Sequence, residues 1–272
     1  MNRRPLKFLH TSDVHLGAYD HGKDDAANQK RVHFHDVFRR VIDVGRQDRV
    51  DFMVVAGDFF DNARVMEDTL HFAAEQIARL EAPVIICPGN HDHVGPGSVY
   101  DRFDLTSVAR NLTIMRAPAG EYVYLDHLGV ELWGRSHTER EPDFAPFRDA
   151  PGRREAEWHI GVGHGHYLHP GSGTHPSYHI YEEHLELLDH DYIALGHWEQ
   201  QTRVTAGGMV AAYSGAPQGL AGTTGGRVLL VHLEEDGSVR LVSKPLDESG
   251  PLIDHDDIPL LQGGPPPRFR QW

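Results

Sequence analysis

The apolar positions of this chain fall into short blocks with two different periods. Five runs, LKFLHTS, DFMVVA, PVIICP, HIGVG and DYIALG, are rich in Val, Ile and Leu and end at Gly, Pro or small polar residues. Such runs read as buried strands. Between the first two, Phe34, Val37, Phe38, Val41 and Ile42 recur at helical spacing. Between the second and third, Leu70, Ala73, Ala74, Ile77 and Ala78 line one face of another helix, which Pro83 helps to end. The order β–α–β–α–β predicts a parallel sheet with helices outside.

Beyond residue 110 the texture changes. EYVYL and VELWG read as paired strands, and the polar, Pro-rich residues 138–156 as a loop. Tyr181, Leu185 and Leu188 mark a short helix before DYIALGH. TRVTA, Met209–Tyr213, GRVLLVHL and SVRLVSK follow as strands, with hairpin signals at Ala206-Gly207-Gly208 and Glu235-Asp236-Gly237. The expected fold is α/β: two mixed sheets packed face to face and flanked by helices, a four-layer α/β/β/α sandwich. Residues 1–249 form one domain in this reading. The segment 250–272 runs into GGPPPRFRQW, has little periodicity, and is expected to be partly disordered or docked on a partner.

Each of the five runs delivers metal-ligand residue types at its C-terminal end. They are Asp13-Val14-His15, Gly57-Asp58, Gly89-Asn90-His91-Asp92, Gly163-His164-Gly165-His166 and Gly196-His197-Trp198-Glu199. Open α/β sheets place ligand sites at these strand ends. Asp13 and His15, two apart in extended chain, face one side. Carboxylate, imidazole and amide oxygen suit hard or borderline divalent ions. The Asp58 carboxylate, with two oxygens, can bridge two ions roughly 3.5–4 Å apart, the spacing of two-metal hydrolases. His164 is the expected strand-end ligand, with His166 as its rival.

Charge and cysteine narrow the function. The formal net charge is −14, from 40 acidic and 26 basic residues among 272. That balance does not suit a protein holding DNA through phosphate contacts alone. The single cysteine, Cys87, excludes a disulfide framework and reads as a buried thiol. No stretch approaches the roughly 18 apolar residues of a membrane span, so no membrane role and a cytoplasmic location are expected. His10, His21, His93, His169, His175 and His179 read as surface or loop histidines, the second and third bordering the cleft. Trp198 and Tyr213 read as packing residues. Arg3, Arg4, Arg268 and Arg270 read as solvated ends.

The ordered set D-x-H, G-D-x-x-D, G-N-H-D, G-H and G-H resembles the calcineurin-like metallophosphoesterase family. HTSDVHLG, VVAGDFFD, CPGNHD, DYIALGHW and AYSGAPQ resemble its branch of SbcD-type and YhaO-like DNA repair exonucleases. The resemblance implies a first metal on Asp13 and His15, Asp58 bridging, and a second metal on Asn90, His164 and His197. It implies His91 as the acid that protonates the leaving oxygen, with Asp92 orienting it, and Asp61 behind the ligands. The last motif departs from the family pattern: Glu199 stands where a second histidine is usual, and is expected to hold the first metal. The implied cofactors are two divalent ions, Mn2+ first, with Mg2+, Fe2+ or Zn2+ as alternatives. The implied substrate is DNA or a nucleotide phosphoester, the implied partners an SbcC-type coiled-coil ATPase and a second copy of the chain. Full nuclease subunits of the branch carry a capping domain, and this chain ends soon after its core strands. Three functions are therefore weighed: an SbcD-type DNA exonuclease or endonuclease, a phosphodiesterase or phosphatase for small phosphoesters, and a non-catalytic docking subunit.

Overall fold

The computed structural model describes residues 3–138, 143–168, 178–206, 208–219, 226–247 and 250–261. The chain opens with strand β1 (Leu6–Thr11), helix α1 (Asp25–Gln47), β2 (Phe52–Val55), α2 (Glu67–Leu80) and β3 (Val84–Ile86). A single turn, α3 (Val99–Arg102), then leads to β4 (Leu112–Ile114), β5 (Glu121–Leu125) and β6 (Val130–Gly134). Next come β7 (Trp158–His164), β8 (His166–Leu168), β9 (His179–Tyr181), α4 (Glu182–Glu186) and β10 (Tyr192–Gly196). The last strands are β11 (Thr202–Ala206), β12 (Met209–Tyr213), β13 (Arg227–Leu233), β14 (Val239–Pro245), β15 (Ile253–Asp254) and β16 (Leu260–Leu261).

Two seven-stranded sheets result, ordered β15-β14-β13-β1-β2-β3-β4 and β16-β11-β12-β10-β7-β6-β5. In the first sheet β1 to β4 run parallel, and β13 joins β1 antiparallel. In the second, β6, β7, β10 and β12 are parallel. Strand alternation makes the middle layer. Phe8, Phe52 and Val54 from one sheet pack with Val130, Leu132, Ile160 and Val162 from the other. The opposite faces of β1 and β2 carry Leu9, Met53 and Val55, which meet Phe38, Val41 and Ile42 of α1 and Leu70 and Ile77 of α2. Burying each such side chain contributes about 1.5–3 kcal/mol. On the far side, Leu185 and Leu188 of the α4 region cover Ile193 and Leu195. This is the expected four-layer arrangement of two mixed sheets between helices.

Three expectations change. His10 is fully buried, not a surface histidine: β1 is a central strand, and His10 shares the middle-layer face with Phe8. There its Nδ1 meets the Tyr192 hydroxyl at 2.9 Å. Burial pulls its pKa down to about 3, so it stays neutral. Arg3 is no solvated end, since it pairs with Asp191 at 2.6 Å and covers the Trp158 ring. The segment after 250 is not wholly a tail. β15 pairs with β14, β16 pairs with β11, and Ile258 is buried between them. Residues 262–272, with Arg268 and Arg270, lie outside the described residues, as do His169, His175 and Gly207. Among the described residues no helix is long and apolar enough to cross a membrane.

Candidate metal centre

The C-terminal ends of β1, β2, β7 and β10 converge where the sheets meet, and the loops leaving them interlock through their backbones. The Asp13 amide donates to the Gly57 carbonyl and the His15 amide to that of Asp58, both at 3.0 Å. The loops that carry Asp58 and Asp92 exchange bonds. The Asp58 carboxylate Oδ1 accepts from the His91 amide at 2.9 Å. The Asp92 carboxylate accepts from the amides of Asp58, Phe59, Phe60 and Gly89, and from the Tyr100 hydroxyl. Asp13, His15, Asp58 and His197 all take positive φ, 52°, 48°, 50° and 101°. Such backbone costs of order 1–3 kcal/mol per residue and persists where surrounding contacts over-determine it. Here the interlocked amides supply those contacts, with the His197 amide bound to Asp13 Oδ2 at 3.0 Å.

Two glycines make the approach possible. At Gly57, φ is +86° and a Cβ would sit 2.3 Å from His164 Nδ1. At Gly89 a Cβ would sit 2.2 Å from Asp58 Oδ1. Any side chain at either place would push a candidate ligand out of the cluster.

The ligand-type atoms gather around Asp58. Asp13, Asp58 and His164 offer atoms all within 4.8 Å of one another, and so do His15, Asp61 and His91. His164 Nδ1 lies 2.9 Å from the Ala56 carbonyl, which can only accept, so Nδ1 carries a proton. Its Nε2 then faces Asp58 Oδ2 at 3.1 Å. Two lone pairs at that distance call for a cation or a proton between them. Nε2 of His164 and Oδ1 of Asn90 are both buried without a hydrogen-bond partner. Buried polar atoms rarely stay unpaired, and these two belong to residues expected to hold the second metal. The donor set fits a divalent ion. His15 approaches Asp58 Oδ2 at 3.9 Å through Nε2 and Asp61 Oδ1 at 3.3 Å through Nδ1.

Electrostatics agree. Burial opposes charge on His164, but the Asp58 and Asp13 carboxylates outweigh it and push its pKa up to about 9. His15 is likewise pushed up to about 9, burial being overcome by Asp61, Asp58 and Asp13. Asp58 is buried, yet the charges of His164 and His15 hold it well below the usual carboxylate range. His197 is pulled down to about 3 by burial and by His164, leaving a neutral imidazole. A metal ion needs neutral imidazoles, so it must displace the protons of His164 and His15. At pH 7.5, below both raised values, Mn2+ uptake should release up to about two protons per chain. The release should fade as pH rises through about 9. Titration calorimetry in buffers of different ionisation enthalpy checks this, and a heat independent of buffer would refute it.

The structure brings several of the expected residues together and sets others apart. His164, not His166, faces Asp58; His166 Nδ1 accepts the Trp198 indole N–H at 3.1 Å. Trp198 stacks on Tyr213 at 4.6 Å, both buried, as packing residues do. His93 borders the cleft, in a cavity of about 580 Å3 lined also by Asp61, Asn62, His91, Thr138 and Tyr178. Asp92 does not orient His91, because both its oxygens are taken by backbone amides and Tyr100. The partner of His91 is Asp61, whose backbone carbonyl accepts from His91 Nδ1 at 2.8 Å. Glu199 is half-buried on the Asp13–His15 side; burial and then the Asp13 charge push its pKa up. Its carboxylate is in neither tight cluster.

Two further residues, His137 and Gln218, support the site. His137 Nε2 donates to the His164 carbonyl at 2.7 Å, and its ring packs on Tyr178. It follows VELWG as the other motif residues follow their strands, so the same strand-end signal applied. Gln218 Nε2 donates to the carbonyls of Asp13 and Val14, bracing the first motif.

The chain belongs to the calcineurin-like phosphoesterase family, whose model matches residues 6–200. It is 27% identical over 230 residues to a DNA double-strand break repair protein Mre11 of Methanopyrus kandleri, covering 79% of this chain and 49% of that one. It is 28% identical over 227 residues to an uncharacterized metallophosphoesterase YhaO of Bacillus subtilis, covering 78% and 53%. The chain thus spans about half the length of these curated relatives. Its fold is similar to that of a dimetal phosphatase from Danio rerio, with TM-score 0.56 and 12% identity over 92% of this chain and 98% of that one.

Proposed function

We propose that this chain is a dinuclear-metal phosphodiesterase, with DNA as its substrate in the manner of an SbcD-type exonuclease or endonuclease. The observation that carries the reading is the Asp58 carboxylate set among His15, Asp13 and His164, with the unpartnered, buried Asn90 oxygen in the loop whose His91 amide binds Asp58. Asp13, His15, Asp58 and Glu199 would hold the first ion, and Asp58, Asn90, His164 and His197 the second. When bound, the two ions supply Lewis acidity and water activation for in-line attack on phosphorus. The protein's own residues do the rest. Asp61 and Ala56 fix the imidazoles of His91 and His164 through backbone carbonyls. His91 is half-exposed at the cleft; with Nδ1–H bound to the Asp61 carbonyl, the imidazolium form of His91 would give its Nε2 proton to the leaving oxygen and remain as the neutral ring. The similarity to Mre11 supports DNA, and with it an SbcC-type ATPase and a second copy of the chain as partners.

One observation favours a second reading, a phosphodiesterase or phosphatase for nucleotides or other small phosphoesters. Among the described residues, the cavity beside the cluster is lined by no lysine or arginine, in a chain of net charge −14. Side-by-side hydrolysis of an aryl phosphodiester, single- and double-stranded DNA and a nucleotide panel with Mn2+ separates the two. Turnover of the aryl ester and nucleotides without DNA cleavage would select the second; no turnover of any would reject both.

Glu199 is the first-metal ligand in this reading. Glu199→Ala should weaken one ion only, and Glu199→His should tighten that ion and favour Zn2+ over Mn2+. Metal analysis across a chelator series checks it. If Glu199→Ala left both ions equally tight, water or another residue would hold that position.

A further inference from the structure

A second cavity, of about 600 Å3, opens at the other end of the second sheet, lined by Tyr124, Asp126, Glu131, Arg154 and Glu155. Glu131 pairs across to His159, five residues or roughly 16 Å along β7 from His164, so this cavity is separate from the metal centre. Val130 and Leu132 face the middle layer, and alternation turns Glu131 to the outer face.

Glu131 is the unusual group. It is only 3% exposed, and its Oε1 is buried without a hydrogen-bond partner. The nearest imidazole nitrogen, His159 Nε2, is 3.7 Å away. That nitrogen accepts the Arg154 backbone N–H at 3.0 Å, so it has no proton to offer Glu131. Burial and the Arg153 charge pull His159 down to about 4, so it is neutral. The Arg154 guanidinium is engaged elsewhere: it donates to the Tyr124 hydroxyl at 2.9 Å and stacks 3.9 Å over Tyr122. A buried carboxylate without a contacting cation is costly. Burial pushes the Glu131 pKa up, with Arg154 opposing. Beside it, Asp126 and Glu155 stand exposed at the rim, and Tyr124 is 48% exposed. Three carboxylates thus face one guanidinium around an aromatic wall.

We propose that this cavity binds a small organic diamine, with one ammonium on Glu131, the carbon chain along the Tyr124 ring, and the second ammonium between Asp126 and Glu155. An ammonium gives the carboxylate a charge-assisted hydrogen bond, and the tyrosine face attracts the cation. An anion is disfavoured by the three acids, and an apolar ligand would leave Glu131 unpaired.

The test is titration of the metal-loaded full chain with 1,4-diaminobutane by calorimetry, at roughly 0.15 M salt so that rim charges alone are screened. Binding with a Kd of about 1 mM or tighter is expected. Glu131→Gln should weaken it about tenfold or more, the worth of a charged hydrogen bond, with phosphodiester hydrolysis and circular dichroism unchanged. Glu155→Gln, an exposed change that spares the fold, should weaken the diamine but not n-butylamine. The proposal fails if no binding is seen up to about 10 mM, or if Glu131→Gln binds as wild type does. It also fails if excess Mn2+ displaces the diamine, which would make the cavity a metal site, or if n-butylamine binds as tightly as the diamine.

Discussion

Asp58→Asn should strip both metal ions and reduce phosphodiester turnover to background. In the proposed centre the carboxylate serves both ions: its Oδ2 meets His164 at 3.1 Å and His15 at 3.9 Å. Asparagine keeps the shape and one carbonyl oxygen. It loses the charge and the second acceptor. Changing an outer partner of a ligand typically costs 10–100-fold in metal affinity, so removing the bridge itself should raise each dissociation constant by more than about 100-fold. The fold should survive. The backbone bonds that hold this loop, from the amides of residues 58–60 to Asp92, do not involve the Asp58 side chain. Metal analysis after dialysis, beside circular dichroism, reads both halves. Two tightly bound ions in a folded Asp58→Asn chain would overturn the bridging assignment.

Much of this arrangement is legible in the sequence, for a physical reason. Strands buried on both faces must be apolar runs, and the residues just past them are released from that constraint. So Asp13, Asp58, Asn90, His164 and His197 stand out against the runs they follow. What the linear pattern hides is which neighbour a side chain turns to. Asp92 adjoins His91 in the chain, but consecutive residues of this loop point apart, and Asp92 turns inward to a nest of amides while His91 turns to Asp61. His10 looks like one more polar residue in β1 because alternation does not tell which face of a central strand another sheet will cover. The burial of Glu131 within VELWG is hidden for the same reason: residues 154–156 and His159 lie against it. The strands β15 and β16 leave no trace in the sequence because two-residue pairings have no periodicity.

His91→Ala should lower turnover of DNA or of an alkyl phosphodiester by about two to four orders of magnitude, the usual worth of a positioned acid, while leaving both ions in place. The separation is possible because His91 contributes in two ways. Its backbone amide holds Asp58 Oδ1, and alanine retains that bond. Its ring reaches the cleft, and alanine removes it. An aryl ester leaves without needing a proton, so its loss should be far smaller than that of the alkyl ester. The position of His91 offers a rival explanation that the same variant excludes or supports. Its ring atoms lie within 4.8 Å of ligand atoms of His15 and Asp61, so His91 could itself hold a metal. In that case His91→Ala would lose an ion, and both substrates would slow together. Metal analysis of the variant, with alkyl and aryl esters assayed in parallel, decides between an acid and a ligand.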